Sequence, residues 1–312
     1  LSEGLISSES KNPLKETFKE LVGLTPFGLV GSDNFKKELS INIIFTVLIF
    51  LASYYLYVLT GDFLQWTAFG IGVYVICNWI HGLKNRDPVA FLLIFKSKAL
   101  LLGLLSFPFI TFVTYALGAF GPSFYIRNFS MTATEVGIIY GLITVFGSMI
   151  GVICGGILGD KLRETYVNGK LYLIMASAVL TGVTAIGFIH SENLVASFTW
   201  KFVYHIASTA WLGCAASTVT ELVLPRLRAV ASAFFILMLS MIGLALGPYL
   251  TGMVSDIYIN SGLLPGPALK NAMTLTLVVL VLPFGLLAVA CKYLKNDEAE
   301  IYEKARSLGE EI

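Results

Sequence analysis

The sequence has 312 residues, of which 56% are hydrophobic and only 13% charged, with a net charge of +1 and a mean hydropathy of +0.79. A soluble domain carries roughly a quarter charged residues, so this composition excludes an ordinary soluble protein, and no basic stripe interleaved with aromatics offers a nucleic-acid surface. Cys77, Cys154, Cys214 and Cys291 each stand singly in apolar runs without CxxC or His-rich spacing; they read as small buried thiols, with no metal, cofactor or disulfide framework implied.

The chain opens on Leu1 with about 40 polar residues of mixed charge. Within them "NPLKETFKEL" (12–21) reads as a short helix, with Asn12 as N-cap and Pro13 at its first position. Eight apolar runs follow, near 41–60, 64–83, 98–120, 134–158, 171–190, 195–222, 229–255 and 270–293. Each reaches the roughly 20 residues that a helix needs to cross a bilayer. None shows the two-residue alternation of a barrel wall, and backbone amides in lipid must pair within their own segment. The fold class is therefore an all-α polytopic membrane protein with eight transmembrane helices. A segment 1–40 precedes a two-helix hairpin (41–84), a linker (85–97) and a six-helix domain (98–294); a tail (295–312) ends the chain. The tail is helical in pattern, with Glu300 and Lys304 one turn apart. Both terminal segments read as solvated faces.

The connectors alternate in charge. Lys36, Lys37, Lys84, Arg86, Lys96, Lys98, Lys161, Arg163, Lys170, Arg226, Arg228, Lys292 and Lys295 fall on one side, whereas "TGDF", the stretch with Arg127, "HSEN" and 256–270 are poor in Lys and Arg. The positive-inside rule then places both termini in the cytoplasm, and a bacterial inner membrane is the default setting.

Gly147, Gly151, Gly155 and Gly159 form a four-residue repeat along one helix face, where another helix can approach closely, as in ordinary packing inside the bundle. Charges follow at once in "GGILGDKLRE" (155–164). A second small-residue face, Gly243, Gly247, Thr251 and Ser255, lies on the 229–255 helix.

"GGILGDKLRE" resembles the Gly-x-x-x-Asp-Lys/Arg-x-x-Arg signature of the major facilitator superfamily, matching at Gly156, Asp160, Lys161 and Arg163. "LPRLRAVASAFFILMLSMIGLALGPYLTGMVSD" (224–256) and "RNFSMTATEVGIIYGL" (127–142) resemble the Spinster-like members of that superfamily. The resemblance covers about 99–294 and implies the C-terminal six-helix half of a twelve-helix transporter, with 41–83 as two extra helices before it. It further implies a gating role for Asp160 and Arg163, a missing N-terminal half, and a chain that is a fragment of a longer one. Under that plan both small-residue faces belong at the boundary between halves and await a partner.

Polar groups inside spans are costly and are candidates for a substrate or coupling pathway. On the 195–222 helix these are Lys201, Tyr204, His205 and Trp211, with Ser208 beside them. His205 is the candidate proton carrier, since an imidazole titrates near neutrality; the alternative is a histidine satisfied by a neighbouring helix. Lys201 is expected to snorkel to the outer interface. Thr111, Thr114 and Tyr115 are candidates on the 98–120 helix, where Pro108 and Gly118 favour a kink, as is Tyr140 on the 134–158 helix with Thr144 and Ser148. For each Ser or Thr a bond to its own backbone outweighs contact with a ligand. Glu221 lies near Arg226 and Arg228 and is expected to pair with them as a gate or to be solvated at a helix end.

An aromatic, weakly polar pathway suits an amphipathic or lipid-like organic solute, small or membrane-borne, in contact with membrane lipids; no nucleic-acid partner is implied. The function expected is secondary active transport, coupled to protons or another ion. The alternative is a non-transporting receptor or assembly protein built on a half-transporter. HExxH, GxSxG and GxxxxGK[ST] patterns are absent from the sequence, and no aspartate lies within the expected spans, so enzymatic and ATP-driven activities are not expected.

Overall fold

The computed structural model describes residues 35–307. The N-terminal helix expected at 12–21 and most of the 1–40 segment lie outside the described residues. Among those described, every regular element is helical. In chain order they are α1 (Phe35–Thr60), α2 (Phe63–Arg86), α3 (Pro88–Lys96), α4 (Lys98–Phe129), α5 (Ala133–Thr165), α6 (Gly169–His190) and α7 (Leu194–Glu221). Then come α8 (Pro225–Asn260), α9 (Pro265–Ala290) and α10 (Leu294–Ser307).

Seven of these helices are long and apolar enough to cross a membrane: α1, α2, α4, α5, α6, α8 and α9. The eighth expected span is present as α7, an unbroken helix of 28 residues, but its Lys, His, Ser and Thr side chains make it less apolar than the others. Several helices outrun the apolar segments that announced them. The run near 98–120 is part of a helix of 32 residues, and that near 134–158 of one of 33. At about 1.5 Å per residue such helices exceed the roughly 30 Å hydrocarbon core. Arg127, Asp160 and Asp256 consequently sit on helical ends where loops were expected.

The chain divides into two compact units, 1–92 and 93–312. The expected linker 85–97 is largely helix α3, capped by Asp87, whose Oδ1 accepts from the Ala90 amide at 2.8 Å, and the division falls inside it.

In the first unit α1 and α2 form a hairpin turned at Gly61, whose φ of +82° favours glycine. Asn42 donates to Asn78 in the buried seam, and the Tyr74 hydroxyl donates to Asn42 Oδ1 at 3.0 Å. Trp66 Nε1 donates to Thr60 Oγ1 at 2.6 Å across the turn. Such bonds hold apolar helices together where lipid removes the hydrophobic drive. The rest of α1 exposes Ile43, Leu48, Phe50, Leu51, Tyr55 and Leu59, as a lipid-facing helix should.

In the second unit α7 is the central element, packed most extensively against α5 and α6, while α4 packs on α8 and α9. Both glycine faces are consumed inside this unit, contrary to the expectation that they await a missing half. A Cβ on Gly147 would meet His205, one on Gly151 the Ile206 carbonyl and Thr209, one on Gly155 the Ala210 backbone, and one on Gly159 the Cys214 sulfur. The α5 stripe is thus the seat of α7. Gly243 and Gly247 meet Thr111 and the Phe112 backbone of α4 in the same way. The signature glycine Gly156, by contrast, has open space where its Cβ would be. Near Gly243 the α8 rod widens into a π-helical turn at Leu239–Leu244, which neither composition nor periodicity had marked. The Thr111 hydroxyl, at 2.9 Å from Pro108 O, also approaches the Leu239 carbonyl at 3.5 Å.

The glycines carry a direct test. Gly155→Val is expected to destabilise the purified protein by about 1–3 kcal/mol or more, because two backbones must separate. Gly156→Ala, one residue on and facing open space, is expected to be neutral or slightly stabilising. Equilibrium unfolding in detergent micelles measures both.

Candidate functional site

The second turn of α7 carries the most unusual side chain in the molecule. Lys201 is 0% exposed, and its Nζ has no hydrogen-bond partner. Three aromatic rings surround it: Phe188 of α6 at 4.2 Å, Tyr204 of α7 at 4.4 Å and Tyr140 of α5 at 4.9 Å from Nζ to the centroid. Ring faces carry negative charge density, and desolvated contacts of this kind contribute about 2 kcal/mol each at best. The expected snorkelling is therefore overturned. The amine points into the bundle because α5 and α6 close over it, and the aromatic faces take the place of a counter-ion.

His205 lies one turn further along. Its Nε2 is 3.0 Å from Thr144 Oγ1 of α5, and its ring meets those of Tyr204 at 5.3 Å and Tyr140 at 6.0 Å. Tyr140 crosses to α4, where its hydroxyl is 3.4 Å from the Leu117 and Gly118 carbonyls and its ring lies against Gly121. Ser197, one turn before Lys201, donates to the Phe188 carbonyl at 2.8 Å and is 3.1 Å from the Tyr125 hydroxyl. The Tyr204 hydroxyl is buried without a hydrogen-bond partner, like the amine beside it. Four helices thus converge on one polar island in an otherwise apolar bundle. Lys201, Tyr204, His205 and Tyr140 are brought together as the sequence indicated. Thr144, Phe188, Ser197 and Tyr125 complete the island; only Thr144 carried a signal, its spacing from Tyr140, and it was outweighed there by the backbone-bonding alternative.

The other pathway candidates stand elsewhere. Thr111 and Thr114 bond their own helix, at 2.9 Å to the Pro108 carbonyl and 3.1 Å to the Thr111 carbonyl. Tyr115 faces outward from α4. Trp211 is core, with Nε1 donating to the Ser208 carbonyl at 2.9 Å and its ring stacked on Phe107.

At the end of the bundle that bears the basic connectors, Asp160 is largely exposed and lies 3.8 Å from Lys170 Nζ. Lys170 also pairs with Glu221. Glu221 is thus held by Lys170 of α6, while Arg228 Nε donates to the Thr220 carbonyl at 3.3 Å. Arg163 pairs with Glu298 at 2.6 Å and donates to the Val167 carbonyl. Lys161 is exposed. Among the described residues, no group of three or more His, Cys, Asp or Glu could hold a metal ion. A separate apolar groove of about 540 Å³ runs along the α1–α2 hairpin, between Phe50, Tyr54, Tyr57 and Phe63.

Comparison with known proteins follows this geometry. A protein named MFS-type efflux pump from Mycolicibacterium smegmatis is 30% identical over 201 residues, covering 64% of this chain and 45% of its own length. Protein spinster of Drosophila melanogaster is 26% identical over 173 residues, covering 52% of this chain and 28% of its own length. The crystal structure of a bacterial homolog of the human lysosomal transporter Spinster, inward-facing and unoccupied, aligns with a TM-score of 0.53 at 21% identity. That alignment covers 78% of this chain and 59% of the other. No family model matches the sequence. The chain is a multi-pass, all-α integral membrane protein, and it is similar to Spinster-like transporters of the major facilitator superfamily in sequence and in fold. It spans less than half the length of these curated relatives.

The cage distinguishes between substitutions at one position. Lys201→Met keeps the volume and removes the charge, and its cost is expected to stay below about 1.5 kcal/mol. Lys201→Glu sets an unpaired carboxylate against three ring faces and is expected to cost about 3–5 kcal/mol. Size-exclusion profiles and thermal unfolding of the two variants in detergent read the difference.

Proposed function

We propose that this chain is the C-terminal half of a secondary active transporter, moving an amphipathic or lipid-like organic solute by alternating access. In this reading the α4–α9 bundle rocks against an N-terminal six-helix half, and α1–α2 is an extra hairpin between the two. Both termini face the cytoplasm of a bacterial inner membrane, and transport is coupled to protons or another ion.

The observation that carries this reading is the polar island. Ionisable groups at membrane depth persist where they serve a pathway, and Lys201 and His205 lie together, inside the bundle, among groups from four helices. The relatives named an efflux pump and Spinster support the class. The island's composition supports the solute: aromatic rings and hydroxyls surround one amine and one imidazole, a lining suited to an apolar body with a polar head. His205 is the candidate coupling group because Thr144 of α5 holds its Nε2 inside the bundle and an imidazole nitrogen is a group that can carry a proton. At the basic end, Asp160, Lys170, Glu221, Arg163 and Glu298 supply the ion pairs through which a gate opens and closes.

The test uses the protein with its natural upstream sequence, reconstituted in phosphatidylethanolamine–phosphatidylglycerol liposomes. Uptake of a fluorescent single-chain lipid under an imposed pH gradient is the readout. The wild type is expected to accumulate the probe several-fold over empty liposomes and to lose that accumulation with a protonophore. His205→Ala is expected to lower gradient-driven uptake by about a hundred-fold, the lower end for a lost proton-transfer group, while leaving gradient-free exchange measurable. Equal uptake by His205→Ala and wild type would remove the coupling assignment, and no uptake by the wild type would count against the proposed solute class.

A further inference from the structure

The C-terminal helix α10 is fastened to the bundle at two neighbouring residues. Asp297 Oδ2 accepts from the Ala99 amide at 2.8 Å and from the Ser97 hydroxyl at 2.9 Å. Ser97 Oγ in turn accepts from the Leu100 amide at 3.2 Å. The first turn of α4 is therefore capped from 198 positions away in the sequence, and a carboxylate there also meets the positive end of the helix dipole. One residue on, Glu298 holds Arg163 Nη2 at 2.6 Å, and the same guanidinium donates to the Val167 carbonyl. Leu294 and Ile301 bury apolar surface beneath α10, and Lys98 Nζ sits 4.8 Å from the Tyr293 ring centroid. The expectation of a merely solvated tail does not hold.

Two features set the character of this attachment. Asp297 and Glu298 are adjacent, so one turn of α10 carries both contacts. The Arg163–Glu298 pair is also open to solvent, with side-chain exposures of 30% and 23%. Such pairs are weak and screened by salt. The attachment is specific in geometry and readily reversible.

We propose that α10 is a releasable latch on the Asp160–Glu164 segment. With both carboxylates engaged, Arg163 is held by its own chain and the α5–α6 connector is fixed. With both released, Arg163 and the connector are free to pair elsewhere. The consequence for gating rests on the transporter reading; the latch itself rests on geometry alone, and the experiment reads it without any transport.

Hydrogen exchange on the full chain in lipid nanodiscs, followed by mass spectrometry, tests it. In the wild type at low salt, residues 98–101, 163–168 and 294–303 are expected to be protected. Asp297→Ala is expected to raise exchange about ten-fold at 294–303 and also at 163–168, which Asp297 does not contact in the bonds described above. Arg163→Gln is expected to raise it at 98–101 in turn, and the charge swap Arg163→Glu with Glu298→Arg to restore protection. Raising salt to about 1 M, where the Debye length falls to about 3 Å, should release all three segments together. The proposal is overturned if Asp297→Ala affects 98–101 and α10 alone, since the two contacts are then independent. It is equally overturned if α10 already exchanges like a free peptide in the wild type. Where a variant does not fold, the salt series on the wild type decides: three segments released together support the latch, and segments that stay protected or release separately refute it.

Discussion

The close approach of α5 and α7 is the constraint on which the rest of the second unit depends. Four glycines at four-residue spacing remove every side chain that would keep the two backbones apart, and lipid supplies no hydrophobic force to bring them together otherwise. Contact at Gly147 places His205 within reach of Thr144, one turn before that glycine. The same approach brings Tyr140 over Lys201, and α6 closes the remaining side with Phe188. Packing and chemistry therefore share a cause. A wider separation of the two helices would take Tyr140 from Lys201 and leave the imidazole without its hydroxyl partner.

Lys201 shows how such a site is tolerated. An isolated amine at membrane depth costs several kcal/mol, and an ion pair is the usual compensation. Three ring faces stand in for it here, each worth less than a carboxylate but without the cost of burying a second charge. The arrangement leaves the amine without a fixed anionic partner among the described residues, in contrast with Lys170 at the basic end, which lies between Asp160 and Glu221. One lysine is positioned by charge and the other by aromatic surface, and only the second sits where four helices meet.

Much of this was legible in the sequence, for physical reasons that also set the limit. Apolar runs of spanning length gave the helices, because lipid permits little else. The four-residue glycine period gave a packing face, and the polar residues of α7 gave the site. Periodicity names a face but not its neighbour: the stripe's partner was α7, although the family plan suggested another half. The snorkelling expected of Lys201 failed because depth along a helix does not reveal which neighbours cover it. Phe188 and Tyr125 look like any buried aromatic until the fold brings them to Ser197 and Lys201. Asp297 and Glu298 were unreadable for a similar reason, since a cap supplied from 198 positions away leaves no local pattern.

The lower hydropathy of α7 has a consequence for how the protein is made. This segment must leave the translocation machinery carrying a lysine, a residue that costs about 2.5–3.5 kcal/mol at a helix centre on insertion scales and less toward the end where Lys201 lies. The groups that offset that cost, Tyr140 and Phe188, belong to the two helices synthesised just before it, and the glycine seat that receives it is on the earlier of them. Chain order thus delivers the receptor before the guest. A rearrangement that moved α7 ahead of α5 and α6 in the gene would present the membrane with that lysine before its aromatic partners exist.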